Sequence, residues 1–299
     1  MTPPAIQTEG LTKYYGRARG IEDVDLVVQA GEVFGFLGPN GAGKTTTIRV
    51  LFDLIRPTRG QARLLGLDSR RESLEIRRRS SYLPGELKLP ERPTGLRFLT
   101  YLASLRGRGA DQIEPLAARV GLDLTRPLGD LSKGNRQKVG VVAAFMHDPE
   151  VLILDEPTSG LDPLRQQDVL ELIGERARAG RTVFLSSHEL DQVQRVAHRV
   201  GIIRDGRMIA IEEMARLRER ALRRVEVRFR NGGPTLDALT RIDGVRDVKE
   251  TGGLVRLHVE GSMDALVKEL ARHDVQTLTS EEPELDEIFL AFYGRVDGN

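Results

Sequence analysis

From Ile6 to about Arg204, short β-type runs alternate with helical patterns: VFGFLG at 33–38, VLILDEP at 151–157, TVFLSSH at 182–188 and RVGIIRDG at 199–206. That alternation predicts an α/β domain. The runs at 151 and 182 are apolar at successive positions rather than at every second one, as expected for strands of a parallel sheet covered on both faces. Both end in polar residues, and ligands of open α/β sheets bind beyond the carboxyl ends of strands.

Between about Glu86 and Asp148 the pattern is helical, with Leu96, Leu99, Leu102 and Leu105 at near-helical spacing before a break at Gly107 and Gly109. We read an inserted helical subdomain at about 86–148. The texture changes after roughly Glu219. VEVRFR at 225–230, a helix near Leu236, a strand near Val245, LVRLHV at 254–259, a helix over 263–272 and a strand near Leu278 give the order βαββαβ, which predicts a ferredoxin-like α+β module. A last helical pattern, PELDEIFLAFYG at 283–294, is expected to pack back on it. The expected division is 1–218 for the α/β domain and 219–299 for the accessory one.

At 299 residues the chain is long enough for a large domain and a smaller one. Its formal net charge of +1 gives no global attraction to nucleic acid or to a charged membrane surface. With no cysteine, disulfides, thiolate metal sites and cysteine nucleophiles are excluded together. The N-terminus lacks the basic start and apolar run of a secretory signal, so a cytoplasmic location is expected. The longest apolar stretches, 139–146 and 151–154, fall far short of the ~20 residues that cross a bilayer. Any role in transport therefore requires a second polypeptide. Basic clusters at 70–79 and 218–230 are interrupted by acidic residues and read as solvated surface.

GPNGAGKT at 38–45 fits G-x-x-x-x-G-K-[ST] directly after an apolar strand and before an amphipathic segment. Glycines let backbone N–H groups turn inward around phosphate oxygens, and the following helix points the positive end of its dipole at them. Gly38, Pro39, Asn40, Gly41, Ala42, Gly43, Lys44, Thr45 and Thr46 are thus the expected nucleotide-binding residues. Lys44 should reach the β- and γ-phosphates, and the Thr45 hydroxyl is placed for Mg²⁺. A dinucleotide-binding turn is disfavoured, because Thr46 stands where its third glycine belongs.

VLILDEP ends a buried strand in two adjacent carboxylates, whose side chains point to opposite sides of an extended chain. Asp155 is the expected Mg²⁺ residue. Glu156 would face the γ-phosphate and orient or deprotonate the attacking water. His188 closes the next run and would reach the γ-phosphate if the two strands are neighbours. The histidines at 147, 198, 258 and 273 show no metal-ligand spacing.

GPNGAGKT, LSKGNRQK at 131–138, VLILDEPTSGLDP at 151–163 and LSSH at 185–188, in that order, resemble the ATP-binding subunits of ABC transporters. The resemblance covers about residues 6–215. It implies a P-loop NTPase fold with an inserted helical subdomain, an ATPase activity, and ATP and Mg²⁺ as cofactors. It also implies that Ser132, Gly134 and Asn135 bind the γ-phosphate held by the P-loop of a second copy, with Ser132 capping a helix. Ser159 to Asp162 resembles the loop that passes signals across that homodimer, and Tyr15 resembles the aromatic that stacks on adenine. Two departures stand out: Lys133 and Asn135 replace the usual Gly and Gln of the signature, and YLPGE at 82–86 has Gly85 where the family places a glutamine. These variants and the C-terminal module are similar to the drug and lipid exporter branch. That implies a separate transmembrane permease, a peripheral location on the inner face of the membrane, and no nucleic-acid partner. The competing reading is a soluble ATPase of the same family acting on ribosomes or nucleic acid; the second cassette or long coiled-coil insertions usual in such proteins do not occur in this sequence.

Overall fold

The computed structural model describes residues 3–220 and 222–281. The helical pattern expected at 283–294 lies outside the described residues. The chain divides between Glu212 and Glu213 into two compact units, each with its own core.

The first unit is built on a six-stranded sheet with the order Arg207–Glu213, Arg199–Arg204, Val33–Leu37, Thr182–Ser187, Val151–Asp155, Ser80–Leu83. The pairings from Arg199–Arg204 through to Ser80–Leu83 are parallel. Every residue of the strands Val33–Leu37, Val151–Asp155 and Thr182–Ser187 is buried, which is the burial their unbroken apolar runs require. Phe34 and Phe184 stack at 5.8 Å and Phe36 lies 5.2 Å from Phe184, tying neighbouring strands together.

A second, antiparallel sheet has the order Ala18–Val28, Ile6–Tyr15, Arg59–Leu64, Leu67–Asp68. It shares a core with the parallel sheet and with the helix Lys44–Leu51: Ile6, Leu11, Val24, Leu26, Ile48, Leu51, Phe34 and Ile153 belong to one buried cluster. Burying several such side chains, each worth roughly 1.5–3 kcal/mol, clamps the P-loop helix between the two sheets.

The helical region contains Gly95–Arg106, Ile113–Val120 and Lys133–Phe145. The first is capped by the Thr94 hydroxyl, which accepts from Arg97 N, and stops at Gly107, whose φ of 66° places it in the left-handed region. The row of leucines on this helix does not form one buried stripe: Leu99 is buried, whereas Leu96 and Leu105 are 41% and 65% exposed, with Tyr101 at 59%.

The second unit runs Leu222–Phe229, helix Leu236–Thr240, Val245–Thr251, Leu254–Glu260, helix Asp264–Leu270, Val275–Glu281. Its antiparallel pairs make a sheet in which Leu254–Glu260 and Leu222–Phe229 are central and Val245–Thr251 and Val275–Glu281 are edges. This is the ferredoxin-like arrangement. Val225, Val227, Val255, Leu257 and Val259 alternate inward and pack with Leu239, Leu266 and Leu270 of the two helices.

Candidate functional site

Strands Val33–Leu37 and Val151–Asp155 flank Thr182–Ser187, with Leu37 opposite Ser187 and Asp155 opposite Ser186. The segments that follow these three strands therefore emerge side by side at one sheet edge. They are the P-loop, Glu156 and His188, so the neighbour relation on which His188 depended holds.

The loop from Gly38 turns into helix Lys44–Leu51 at Gly43, whose φ of 109° is closed to L side chains. A Cβ there would also stand 2.6 Å from Ile21 Cγ2. A cavity of about 320 Å³ opens over the loop, lined by Pro39 to Thr46 together with Tyr15, Arg19, Gly20 and Glu156. Tyr15 stands beside Thr46, hydroxyl to hydroxyl at 3.4 Å, and Lys13 Nζ lies 5.3 Å from the centre of its ring. A larger cavity of about 520 Å³, bordered by Gly31, Leu170 and His198 among others, includes none of these residues.

Lys44 Nζ donates to Gly38 O at 2.5 Å and lies 3.3 Å from Glu156 Oε1. The Thr45 hydroxyl donates to Asp155 Oδ2 at 2.7 Å, and Ser186 Oγ donates to Asp155 Oδ1 at 2.5 Å. Asp155 is buried, so these donors hold its carboxylate in place. Glu156 does not continue the extended strand that the sequence pattern predicts but turns left-handed with a φ of 52°. Its Oε2 is 2.8 Å from His188 Nδ1, and its Oε1 is buried with the Lys44 ion pair as its one polar neighbour among the described residues. Glu156 lines the cavity, and this oxygen, beside Lys44, is an acceptor with unused capacity. For Mg²⁺, Thr45 Oγ1 and Asp155 Oδ2 are hard oxygen donors, and this ion binds through one or two protein oxygens plus waters and substrate phosphates. The donor set fits that ion.

Gly85 sits against this carboxylate, a Cβ at the position falling 3.5 Å from Asp155 Oδ2. Glu86 beside it is exposed and has no hydrogen bond or ion pair among the described residues. Tyr82, three residues earlier, has its hydroxyl pushed up to about 12, by burial first and by the Asp155 charge second, and so stays protonated.

Ser132 caps helix Lys133–Phe145, accepting from Asn135 N at 3.3 Å. Ser132, Gly134 and Asn135 do not line the P-loop cavity of their own chain. Gly134 packs on the segment after Glu156; a Cβ there would be 2.5 Å from Gly160 O. Asp162 caps the next helix, Pro163–Arg178, accepting from Arg165 N at 3.1 Å.

Sequence reasoning missed Ser186 and Gln137. The first braces Asp155 and also receives Glu156 N. The second donates to the carbonyls of Glu156 and Pro157. Ser186 lies inside LSSH and Gln137 inside LSKGNRQK, yet no spacing rule says that either turns toward the carboxylates.

An ABC transporter family model matches residues 21–159. The chain is 34% identical to the daunorubicin/doxorubicin resistance ATP-binding protein DrrA of Streptomyces peucetius, over 97% of this chain and 92% of that one. It is 31% identical to the bacitracin transport ATP-binding protein BcrA of Bacillus licheniformis, over 97% of each. A solved structure described as the ATP binding subunit of an ABC transporter superposes with a TM-score of 0.67 at 32% identity, covering 72% of this chain and 92% of that chain. The chain belongs to the ABC transporter family. Within it, this protein is an ATP-binding, ATP-hydrolysing subunit, and no helix among the described residues is long and apolar enough to cross a membrane.

Proposed function

We propose that this subunit powers export of a drug, antibiotic or lipid through a separate transmembrane permease, from a cytoplasmic position on the inner face of the membrane. Residues 1–218 would be the motor and 219–299 an accessory module. The observation that carries the reading is the constellation at one sheet edge: Lys44 and His188 on the two oxygens of Glu156, with Thr45 and Ser186 on those of Asp155.

The P-loop amides and Lys44 bind the phosphates of ATP. Glu156 accepts a proton from the attacking water through Oε1, while His188 holds Oε2 and faces the γ-phosphate. Thr45 and Asp155 would hold Mg²⁺, which neutralises phosphate charge as the terminal bond breaks. Tyr15 offers its ring to the adenine. Ser132, Gly134 and Asn135 stay off their own chain's cavity, which supports a homodimer in which they complete the partner's site with the N-terminus of a capped helix. The exposed Leu96, Tyr101 and Leu105 leave apolar surface on the helical region available to a permease.

The names of DrrA and BcrA, a resistance protein and a bacitracin transport protein, support the exporter reading. The test is to express a tagged Glu156→Gln variant in the native cell, extract membranes in mild detergent with Mg-ATP, and identify what copurifies. A polytopic membrane protein at near-equal stoichiometry is expected. Recovery only in the soluble fraction with ribosomes or nucleic acid would overturn the export reading.

A further inference from the structure

Among the described residues, Glu156 is one of few other than glycine with a positive φ, at 52°. An extended side chain rarely adopts this left-handed conformation, and the surrounding structure must hold it there. Two groups do so from opposite sides. On one side Glu156 N donates to both the carbonyl and the hydroxyl of Ser186, each at 3.2 Å. On the other, the side-chain amide of Gln137 donates to Glu156 O at 3.1 Å and to Pro157 O at 3.0 Å.

Gln137 is 5% exposed and stands about one turn into helix Lys133–Phe145, the helix capped by Ser132. Its amide nitrogen carries only two hydrogens, so bonds to successive carbonyls use its full donor capacity. No apolar side chain of the same size reproduces this, and desolvated carbonyls left without donors are costly. The first turn of the same helix abuts Gly160 through Gly134. The helix thus grips the segment from Glu156 to Gly160 at both ends.

We propose that Gln137 is a positioning residue for hydrolysis: it holds the Glu156 backbone in its left-handed conformation, so that the carboxylate stands between Lys44 and His188, and it ties that carboxylate to the helix capped by Ser132. This rests on the role of Glu156 proposed above. A small misplacement of a reacting group is enough to slow catalysis by orders of magnitude. Gln137 therefore acts on turnover, while the P-loop still sets ATP affinity.

The experiment compares the full-length wild type with Gln137→Leu and Gln137→Glu, measuring kcat for ATP hydrolysis, ATP affinity and the thermal midpoint. Gln137→Leu keeps the volume and removes both donors. Its kcat should fall roughly tenfold to a hundredfold with ATP affinity unchanged. In Gln137→Glu a buried carboxylate faces two carbonyl oxygens, which raises its pKa; once protonated it regains one donor. Its kcat relative to wild type should rise several-fold between about pH 8 and about pH 6, whereas the Gln137→Leu ratio stays flat.

Wild-type kcat in Gln137→Leu overturns the proposal. So does a kcat loss matched by equal loss of ATP affinity, or a flat pH ratio for Gln137→Glu, since these mark a packing role. If one variant does not fold, the other decides by the same criterion. Glu156→Gln run in parallel separates the two claims. Full turnover there defeats the role of Glu156 itself, whereas an inactive Glu156→Gln beside a fully active Gln137→Leu defeats only the role of Gln137.

Discussion

His188 Nδ1 and Glu156 Oε2 stand 2.8 Å apart at the ends of neighbouring strands. The pair fixes one carboxylate oxygen and leaves the other beside Lys44. His188→Ala should therefore lower kcat by about a hundredfold, within the range ascribed to general acid–base groups and their orientation. ATP affinity should change little, because the P-loop is untouched. Steady-state ATPase assays with a separate binding titration check both halves, and a large loss of affinity with intact kcat would contradict the assignment.

Lys44 is buried and held by Gly38 O in the wall of the same cavity. A charge-assisted bond to a phosphate is worth about 1.5–3 kcal/mol, so Lys44→Ala should weaken ATP binding by about tenfold to a hundredfold. Equilibrium titration with a fluorescent ATP analogue reads this directly. Unchanged affinity would remove the phosphate cradle from the account.

Gly134 has no room for a side chain, because the obstacle to a Cβ is the backbone oxygen of Gly160 at 2.5 Å. Gly134→Ala must displace either helix Lys133–Phe145 or the segment after Glu156. The expected cost is about 1–3 kcal/mol in stability, with ATP turnover reduced further than the stability loss explains. Denaturant midpoints and kcat measured on the same preparation test this.

Acid sensitivity is expected where Asp148 meets Arg181 at 2.5 Å and Arg176 at 3.1 Å. The hydrogen bond from Arg181 is the main cause holding the Asp148 carboxyl below its usual range. A depressed carboxylate contributes stability that is fully present above its unfolded pKa, about 3.9, and is lost as pH falls through the lower folded value. The pair is partly exposed, so its worth is below about 1 kcal/mol. Arg181→Gln should accordingly lower stability slightly at pH 7, and the difference should shrink only below about pH 4. Denaturation curves across that range would show a constant difference if the pair were irrelevant to acid unfolding.

Most of the site was legible because its parts are contiguous in sequence and need specific residue types. A phosphate cradle needs glycines before a helix, and carboxylates at a strand end need an apolar strand before them. The strands Val151–Asp155 and Thr182–Ser187 were legible because burial on both faces removes polar interruptions. The antiparallel sheet was not resolved into strands, since Ile6–Tyr15 carries register irregularities between Thr8 and Leu11 and again around Lys13 that break its alternation. Gln137 and Ser186 were missed for a different reason: each acts on a residue distant in sequence through a contact that only the packed sheet and helix create. The leucine row from Leu96 to Leu105 lacks the burial expected of one stripe, because a strict three-residue repeat falls short of the 3.6-residue turn and carries the row about halfway round the helix between its ends.

The most direct measurement is ATP turnover by the purified wild-type chain and by Glu156→Gln at saturating Mg-ATP, with nucleotide binding measured on the same samples. Hydrolysis by the wild type, a fall of about a hundredfold or more in the variant and retained ATP binding are the predicted results. Equal turnover in the two proteins, or loss of ATP binding in Glu156→Gln, would contradict the assignment of Glu156 as the group that activates water.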